Sequence, residues 1–339
     1  MIYFAGWISL YLFGISQNLI KYRGNLFALI VLSWFSFVVV FRANVGTDTY
    51  MYEWIIENRE GVSVFEFGFD FIIHIFKYFT DNSVLLLRLI GALYCIVFFV
   101  IYCGAASSEK FLILYYLIPV FFYIHGMNVI RIGMASLFFY LFVRSFVHKK
   151  IYLMVFCASI SLLMHYSIAV AYVLFLLNFF SLRSIKTWFF LICCICAFYF
   201  FSLDHISAKY DLYESYVSPN VLSGLTSVLV IMLFVFAAFF SDLPKNIRIK
   251  VVFSSLFFLI LFYLIVLKSY AGLRLLDIMK FTLPVLLVFL HQKYSVEPNR
   301  VFKYSVFIAG LVSIVFIFKN FLDEPVGPSM FLPYKFIFS

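Results

Sequence analysis

Long uncharged stretches alternate with short polar segments along the chain of 339 residues. A helix needs roughly 20 mostly apolar residues to cross about 30 Å of hydrocarbon, and several of these stretches are shorter, so we expect tilted or broken helices among them. The pattern predicts an all-α, polytopic membrane protein with about 12 transmembrane helices. The candidate helices lie near residues 2–18, 26–41, 84–102, 111–125, 128–147, 151–164, 166–180, 187–203, 222–240, 251–267, 275–291 and 302–318.

One segment between these stretches is amphipathic. In FEFGFDFIIHIFKYF, residues 65–79, polar side chains recur at intervals of four, four and three, and the opposite face is apolar. This period predicts a helix too short to span, which is therefore re-entrant or interfacial. A purely structural helix explains the polar stripe equally well, and Glu66 is the member with the strongest claim to a function. The stripe consists of Glu66, Asp70, His74 and Lys77.

Composition indicates that lipid surrounds the whole chain. Hydrophobic residues make up 65% of it and charged residues only 12%, which is more apolar surface than a soluble domain can bury. We therefore expect a single integral-membrane domain over residues 1–339. The sequence predicts three outer segments in it: a loop at 42–83 that contains the amphipathic helix, a loop at 204–221 and a C-terminal tail at 319–339.

Basic residues are concentrated in alternate connecting segments, which predicts the orientation. If the segment after the first span is inside, the inside set holds 14 basic and 3 acidic residues, which leaves 11 of the 25 basic and 13 of the 16 acidic residues elsewhere. Because cytoplasmic loops carry excess Lys and Arg, both termini are predicted outside. The net charge of +9 then follows from topology, and a nucleic-acid partner is not needed to explain it.

In this orientation, costly intramembrane charges map to one side and one depth. Asn128 and Arg131 share a face at the outer end of the predicted helix 128–147. His165 lies between the predicted helices 151–164 and 166–180, and Arg274 lies at the outer start of the helix 275–291. Arg88, one turn into the third stretch, is set aside because a long side chain there can snorkel to the interface.

The segment FRANVGTDTYMYEW, residues 41–54, follows the second stretch at the same outer level. Thr47 or Asp48 suits the cap of a short helix, whose aromatic residues would lie in the membrane interface. An interfacial helix with an aromatic belt is one interpretation. The other is a binding segment that contributes Arg42, Asp48, Tyr50 and Tyr52.

These residue types together suit a sugar attached to a lipid pyrophosphate. Arginine forks hold phosphate oxygens in bidentate fashion, which fits Arg131, Arg42 and Arg274. A base is also needed to accept a proton from a sugar hydroxyl. His165 is the first candidate, Glu66 the second, and Asp48 suits an orienting role better. The candidate sugar-binding residues are Asn128, Tyr50, Tyr52 and Tyr270.

Neither a metal site nor a cofactor motif is predicted. The CCxC at residues 193–196 has no His or carboxylate within its apolar stretch, so packing cysteines are the better interpretation. The cysteines do not form a spaced extracellular set, and no disulfide framework is indicated. They are Cys95, Cys103, Cys157, Cys193, Cys194 and Cys196.

The sequence resembles the EpsG-like and Wzy-type polysaccharide polymerases of bacterial membranes. The order and spacing of the motifs carry the resemblance over roughly the first half of the chain, with a weaker echo at Arg274 and in the tail. The chain departs from some relatives at Ile132, where they have Gln. The motifs are FRANVGTDTYMY, FEFGF, the NxxRxGxA of NVIRIGMA, LLMHYS and the terminal LPYKF.

The resemblance implies a glycosyltransferase that polymerises undecaprenyl-pyrophosphate-linked repeat units into O-antigen or a related polysaccharide, at the periplasmic face of the inner membrane. It also implies partners, namely the lipid-linked glycans and a chain-length-regulating co-polymerase. Two alternatives stay open. A lipid-linked oligosaccharide flippase or other transporter would favour midplane sites and repeat symmetry. A ligase that uses the same donor, or a membrane O-acyltransferase, is the other.

Overall fold

The computed structural model describes residues 2–20, 25–58, 66–180, 220, 222–322 and 331–336, and their regular structure is helical. The stretch predicted at 187–203, the cysteines at 193, 194 and 196 and, apart from Asn220, the loop predicted at 204–221 lie outside these residues. The helices are α1 (Ile2–Ile20), α2 (Asn25–Val40), α3 (Thr49–Glu57), α4 (Phe67–Lys77), α5 (Ser83–Cys103), α6 (Ser107–Met127), α7 (Ile130–Val147), α8 (Ile151–Met164), α9 (Ala169–Phe179), α10 (Leu225–Phe239), α11 (Lys245–Val266), α12 (Ala271–Lys293) and α13 (Arg300–Leu322).

The lengths of these helices support fewer full spans than the sequence predicts. Five of them, α5, α6, α7, α11 and α13, are long and apolar enough to cross a membrane. Shorter apolar helices include α1, α2, α8, α9 and α10. The described residues thus confirm an all-helical, multi-pass membrane protein, whereas 12 full transmembrane helices are not established.

The predicted amphipathic helix is present as α4, which is 11 residues long. At about 1.5 Å per residue, α4 is too short to cross a bilayer. Phe69 and Ile73 are buried on one face, whereas Phe67 and Phe71 are exposed on the other. The helix therefore buries a narrower stripe than its apolar content suggests.

The chain divides into two compact units. The first contains residues 1–137, 163–165 and 310–339, and the second contains residues 138–162 and 166–309. His165, although far along the chain from α2 to α5, therefore folds with those helices in the first unit.

An unusual helical segment is held by side chains of α1 in the first unit. Within α6, residues Ile113–Phe122 form a π-helix that contains Pro119, which has no N–H to donate. The Trp7 indole donates to the carbonyl of Pro119 at 3.2 Å, and the Tyr11 hydroxyl donates to the carbonyl of Tyr115 at 2.9 Å. Side chains of α1 thus satisfy carbonyls of this irregular stretch.

The C-terminal motif LPYKF also belongs to the first unit. The Tyr334 hydroxyl donates to the carbonyl of Val38 at 2.7 Å, and the Ala43 amide donates to the carbonyl of Lys335 at 2.9 Å. Arg42 and Phe336 form an isolated antiparallel bridge. The last described residues therefore fix the chain where it leaves α2, which explains why this motif accompanies FRANVGTD.

In the second unit α12 is the central helix, and nearly all of its residues from Ile278 to His291 are buried. Helices α9, α10 and α11 pack against it. One end of this core is polar, because the Lys293 ammonium donates to the carbonyl of Phe179 at 2.9 Å and Lys250 donates to that of Phe180.

Candidate active site

Glu66 is the central residue of a buried polar cluster in the first unit. It is the residue immediately before α4, with an extended backbone, and its side chain does not cap the helix. The carboxylate is instead directed at two other elements, although it stays near the positive end of α4, which favours its negative charge. Glu66 is only 2% exposed. A carboxylate so deeply buried needs charged or hydrogen-bonding partners.

Arg131, in the first turn of α7, supplies one of these partners. Its Nη1 atom donates to Glu66 Oε2 at 2.5 Å, and its Nε atom donates to the Tyr52 hydroxyl oxygen at 3.2 Å. The guanidinium also lies 5.7 Å from the centre of the Tyr52 ring, within the range of a cation–π contact. The Arg131 side chain remains 23% exposed. It is therefore anchored through Nε and Nη1 while part of its side chain remains accessible.

Tyr52 contacts Arg131 through both its hydroxyl group and its ring. The residue lies in α3 and is 4% exposed, and its ring packs 5.7 Å from that of Phe69 in α4. Burial raises the pKa of Tyr52, so the phenol stays protonated and neutral. We therefore assign Tyr52 to the positioning of Arg131, whereas the sequence suggested a surface for stacking sugars.

His165 is the other partner of Glu66. It follows the C-terminus of α8, and its Nδ1 atom lies 2.8 Å from Glu66 Oε1. With the proton on Nδ1, the imidazole donates to the carboxylate, and Nε2 carries the lone pair. The side chain is 17% exposed. This is the arrangement in which a buried carboxylate sets the tautomer of a histidine base.

The close approach of α4 to the end of α8 depends on Gly68. A Cβ atom at this position would lie 2.9 Å from the carbonyl carbon and from the carbonyl oxygen of Leu163. Gly68 is two residues after Glu66, and Leu163 is two residues before His165. The missing side chain thus lets Glu66 reach His165.

If the chain has the polymerase activity that its resemblance implies, replacing Gly68 with alanine should reduce polymer formation at least tenfold. The added methyl group must push α4 away from the Leu163 backbone and lengthen the Glu66–His165 hydrogen bond, and misplacement by about 1 Å costs as much as 10²-fold in rate. Polymer length and amount on a gel, at matched membrane levels of protein, measure the effect.

The matched control is Gly91→Ala in α5. A Cβ at Gly91 meets its nearest atom at 3.5 Å, which is ordinary van der Waals contact. The control should keep wild-type polymer, and equal activity of both variants would show that the α4–α8 contact does not position the site.

The motif residues around Asp48 are held in place by Asn128, which lies between α6 and α7. The Asn128 side-chain oxygen accepts hydrogen bonds from the Thr47 hydroxyl and from the Asp48 amide, both at 2.8 Å. Gly46 begins this turn with a φ of +108°, which only glycine adopts readily. Asp48 itself is half-buried and precedes α3 without a side-chain capping bond. Asn128 therefore fixes the turn that presents Asp48.

Arg42 is a fully buried structural clamp in the described structure. Its guanidinium donates to the carbonyl of Val39 at 2.6 Å and to that of Met127 at 3.3 Å, and so joins the C-terminal ends of α2 and α6. Cations at helix C-termini are stabilised by the helix dipole. Burial, followed by the charge of Arg88, lowers the pKa of Arg42 to about 9, so the group still carries its charge at neutral pH. A ligand could contact Arg42 only if these contacts rearranged.

Arg88 is also buried, which corrects the expectation that it snorkels. It donates to Glu53 at 3.2 Å and to the carbonyl of Ala43 at 2.9 Å, and it is 3% exposed. Glu53 follows Tyr52 in α3, so the ion pair fixes the helix on which Tyr52 stands. Sequence reasoning missed Glu53 because a carboxylate in an interfacial helix normally faces water.

The remaining predicted residues are not part of this cluster. Tyr50 is 66% exposed on α3, one turn from the buried Glu53. Tyr270 and Arg274 begin α12 in the second unit, and both are exposed. Arg274 makes no ion pair or side-chain hydrogen bond with the described residues, so its guanidinium is open to an anionic ligand.

Of the residues predicted from sequence, the structure brings together Glu66, Arg131, His165 and Tyr52, with Asn128 and Asp48 held close by in the chain's first unit. The sequence signal for Gly68 was present in FEFGF, but spacing alone could not show that it faces the backbone of Leu163.

Comparison with known proteins agrees with the motifs. The model of the EpsG family matches residues 25–336, which is most of the chain. No curated protein and no solved structure matches it significantly. The matched region contains every residue of the buried polar cluster formed by Glu66, Arg131, His165 and Tyr52, called the Glu66 cluster below.

Proposed function

Since the chain belongs to the EpsG family of polysaccharide-polymerase-like membrane proteins, we propose that it joins undecaprenyl-pyrophosphate-linked repeat units into a surface polysaccharide. The observation that carries this proposal is the Glu66 carboxylate between Arg131 and His165. This arrangement puts a candidate base and a candidate anion-binding group on one buried carboxylate. A glycosyl transfer with a pyrophosphate leaving group needs both functions.

In the proposed reaction, His165 acts as the general base. Its Nε2 atom accepts the proton of a sugar hydroxyl on the acceptor repeat unit, and Glu66 stabilises the imidazolium through Nδ1. The hydroxyl oxygen forms a bond to the anomeric carbon of the donor glycan. The bond from that carbon to the pyrophosphate oxygen breaks, and undecaprenyl pyrophosphate leaves with the electron pair.

Arg131 is proposed to stabilise the charge that develops on the leaving pyrophosphate. Donors held in place before the reaction are worth most where negative charge appears in the transition state. Glu66 and Tyr52 hold the guanidinium through Nη1 and Nε, so little ordering is required when the substrate binds. Arg274, in the second unit, stays a prediction from the sequence, and Arg42 is proposed to support the site by joining α2 and α6. Asp48 and Tyr50 are proposed to orient the sugars.

The reaction is proposed to take place at the periplasmic face of the inner membrane, and cysteine labelling tests this orientation. In a variant without native cysteines, Tyr50→Cys should react with a membrane-impermeant thiol reagent in intact cells, whereas Lys149→Cys should react only after the cells are opened. Tyr50 suits the experiment because its side chain is exposed, whereas the neighbouring Thr49 is fully buried. Labelling of Lys149→Cys in intact cells would overturn the orientation.

Deleting the gene and separating the cell's lipopolysaccharide on a gel tests the function itself. Loss of a polymerase leaves one repeat unit on the core. Loss of a ligase or flippase leaves bare core, and that result would contradict the proposal. Restoration of the ladder by the wild-type gene, but not by His165→Gln, would tie the phenotype to the Glu66 cluster.

A further inference from the structure

A cavity of about 540 Å³ opens in the second unit, beside the C-terminal ends of α7 and α12. Its polar lining includes Lys149, Lys293 and Ser145, and its apolar lining includes Ile151 and Met154. The volume is within the range of small-molecule sites, which run from about 300 to 1,000 Å³. None of these residues belongs to the proposed active site, so the cavity is a separate feature from the one that carries the proposed function.

The lysines around this cavity lack anionic partners in the described part of the chain. Lys293 lies 5.1 Å from the centre of the Phe179 ring and 5.9 Å from that of Phe146, and it donates to a carbonyl. Lys250, close enough to Lys293 for the two charges to repel, likewise donates to a carbonyl. The described structure contains no carboxylate within ion-pair distance of Lys149, Lys250 or Lys293. Lys149 and Lys293 therefore line the cavity without a carboxylate partner among the described residues.

Lys149 occupies a position that normally belongs to glycine. Its φ is +58°, in the left-handed region, and its amide donates to the carbonyl of Phe146 while that of Lys150 donates to Ser145. These bonds form the Schellman motif that ends α7, in which glycine is the usual left-handed residue. A side chain in this region costs some backbone energy, as it also does at Ser295 after α12, where φ is +54°.

The surface next to the cavity is apolar. Ile151, Tyr152, Val155 and Phe156 in the first turns of α8 are all more than half exposed. A soluble anion would gain nothing from this surface, whereas the acyl chains of a lipid would cover it. The charge pattern of the sequence also predicts that these helix ends face the cytoplasm, where the membrane leaflet carries anionic lipids and basic pockets bind their headgroups.

We propose that this cavity binds the phosphate headgroup of an anionic phospholipid between Lys149 and Lys293, with the acyl chains along α8. Lys250 adds to the positive potential behind Lys293. Ser145 and Gln292 also line the cavity and carry hydrogen-bonding groups.

Native mass spectrometry of the full chain in detergent tests the site. Phosphatidylglycerol should be retained in preference to phosphatidylcholine with the same acyl chains. Because each lysine near an anionic headgroup contributes about 1 kcal/mol, Lys149→Gln combined with Lys293→Gln should weaken phosphatidylglycerol binding roughly 30-fold. The control combines Lys245→Gln and Lys303→Gln, two exposed lysines that do not line the cavity, and should bind as wild type.

Lys149→Gly separates binding from folding. Glycine relieves the left-handed strain, so this variant should melt at a higher temperature than wild type and yet bind phosphatidylglycerol about fivefold more weakly. If Lys149 served only the dipole of α7, the variant would melt at a lower temperature and keep its lipid affinity, which would overturn the proposal. Equal losses in the control pair, or displacement of the lipid by excess inorganic phosphate, would overturn it too.

Discussion

Arg131→Ala should abolish polymer formation while the protein stays in the membrane. The substitution removes the charge proposed to face the leaving pyrophosphate, and loss of one such donor typically costs about 10²- to 10³-fold in rate. It also leaves the buried Glu66 with His165 as its remaining ion-pair partner of the two. Arg131→Lys should be clearly impaired, because an ammonium group cannot donate to Glu66 and Tyr52 in the same planar geometry.

Arg144 provides the matched control on the same helix. It lies in the last turn of α7, 5.2 Å from the centre of the Tyr140 ring. Arg144→Ala should therefore leave polymer length and amount near wild type. Gel analysis at equal membrane levels of the three variants measures the difference, and full activity of Arg131→Ala would remove this residue from pyrophosphate binding.

His165→Gln should lower turnover by about 10²- to 10⁴-fold, which is the usual contribution of a general base. Glutamine preserves much of the side-chain volume but cannot accept and return the proton. Glu66→Gln should be less severe, because it keeps the base and its amide oxygen can accept from His165 Nδ1. It should still lower turnover, because the amide NH2 group then faces the Arg131 Nη1 donor and the charge that stabilises the imidazolium is lost. An order His165→Gln, then Glu66→Gln, then wild type in rising activity is therefore expected.

The pH dependence distinguishes a base from a structural histidine. The protonated form of an imidazole has no lone pair to accept the proton of the acceptor hydroxyl. Wild-type turnover should fall on the acidic side of the profile, and the residual activity of His165→Gln should lose that limb. If His165→Gln keeps near-normal turnover and the same limb, His165 is structural and Glu66 becomes the candidate base.

The helices were largely predictable from sequence because lipid imposes a simple rule on them. Apolar stretches without charge must form helices to satisfy their own backbone, so the described helices lie where the hydrophobic pattern places them. The number of full spans was not predictable in the same way. Stretches such as α8, at 14 residues, are apolar enough but short, and composition does not decide whether a short helix crosses the membrane.

The Glu66 cluster was only partly predictable. Arg131 and His165 could be selected from the sequence because burying an ionisable group in the membrane is energetically unfavourable, which makes such residues candidates for a function. The sequence could not show that Glu66 bonds to both residues, because they lie 65 and 99 positions after it along the chain. Nor could it separate Arg42 from Arg131. Arg42 follows an apolar helix and Arg131 begins one, so their sequence contexts are alike. Contacts with the carbonyls of Val39 and Met127 bury Arg42 completely, whereas the Arg131 side chain is 23% exposed.

The same reasoning explains why Tyr52 and Arg88 were assigned other roles from sequence. An aromatic residue near an interface commonly faces the headgroups, and a basic residue one turn into a span commonly snorkels. In this fold α3 packs inward instead, through the Arg88–Glu53 ion pair and the contact of Tyr52 with Phe69. Such tertiary packing leaves no periodic signal in nine residues of helix.

The most direct test of the account is a reaction with defined components. The purified chain, reconstituted in lipid and given synthetic undecaprenyl-pyrophosphate-linked repeat units, should produce a ladder of glycans and release one undecaprenyl pyrophosphate for each new linkage. The His165→Gln and Arg131→Ala variants should release almost none. Failure of the wild-type chain to extend the glycan while it binds the lipid-linked unit, or equal release by the wild type and both variants, would contradict the proposed polymerase and its site.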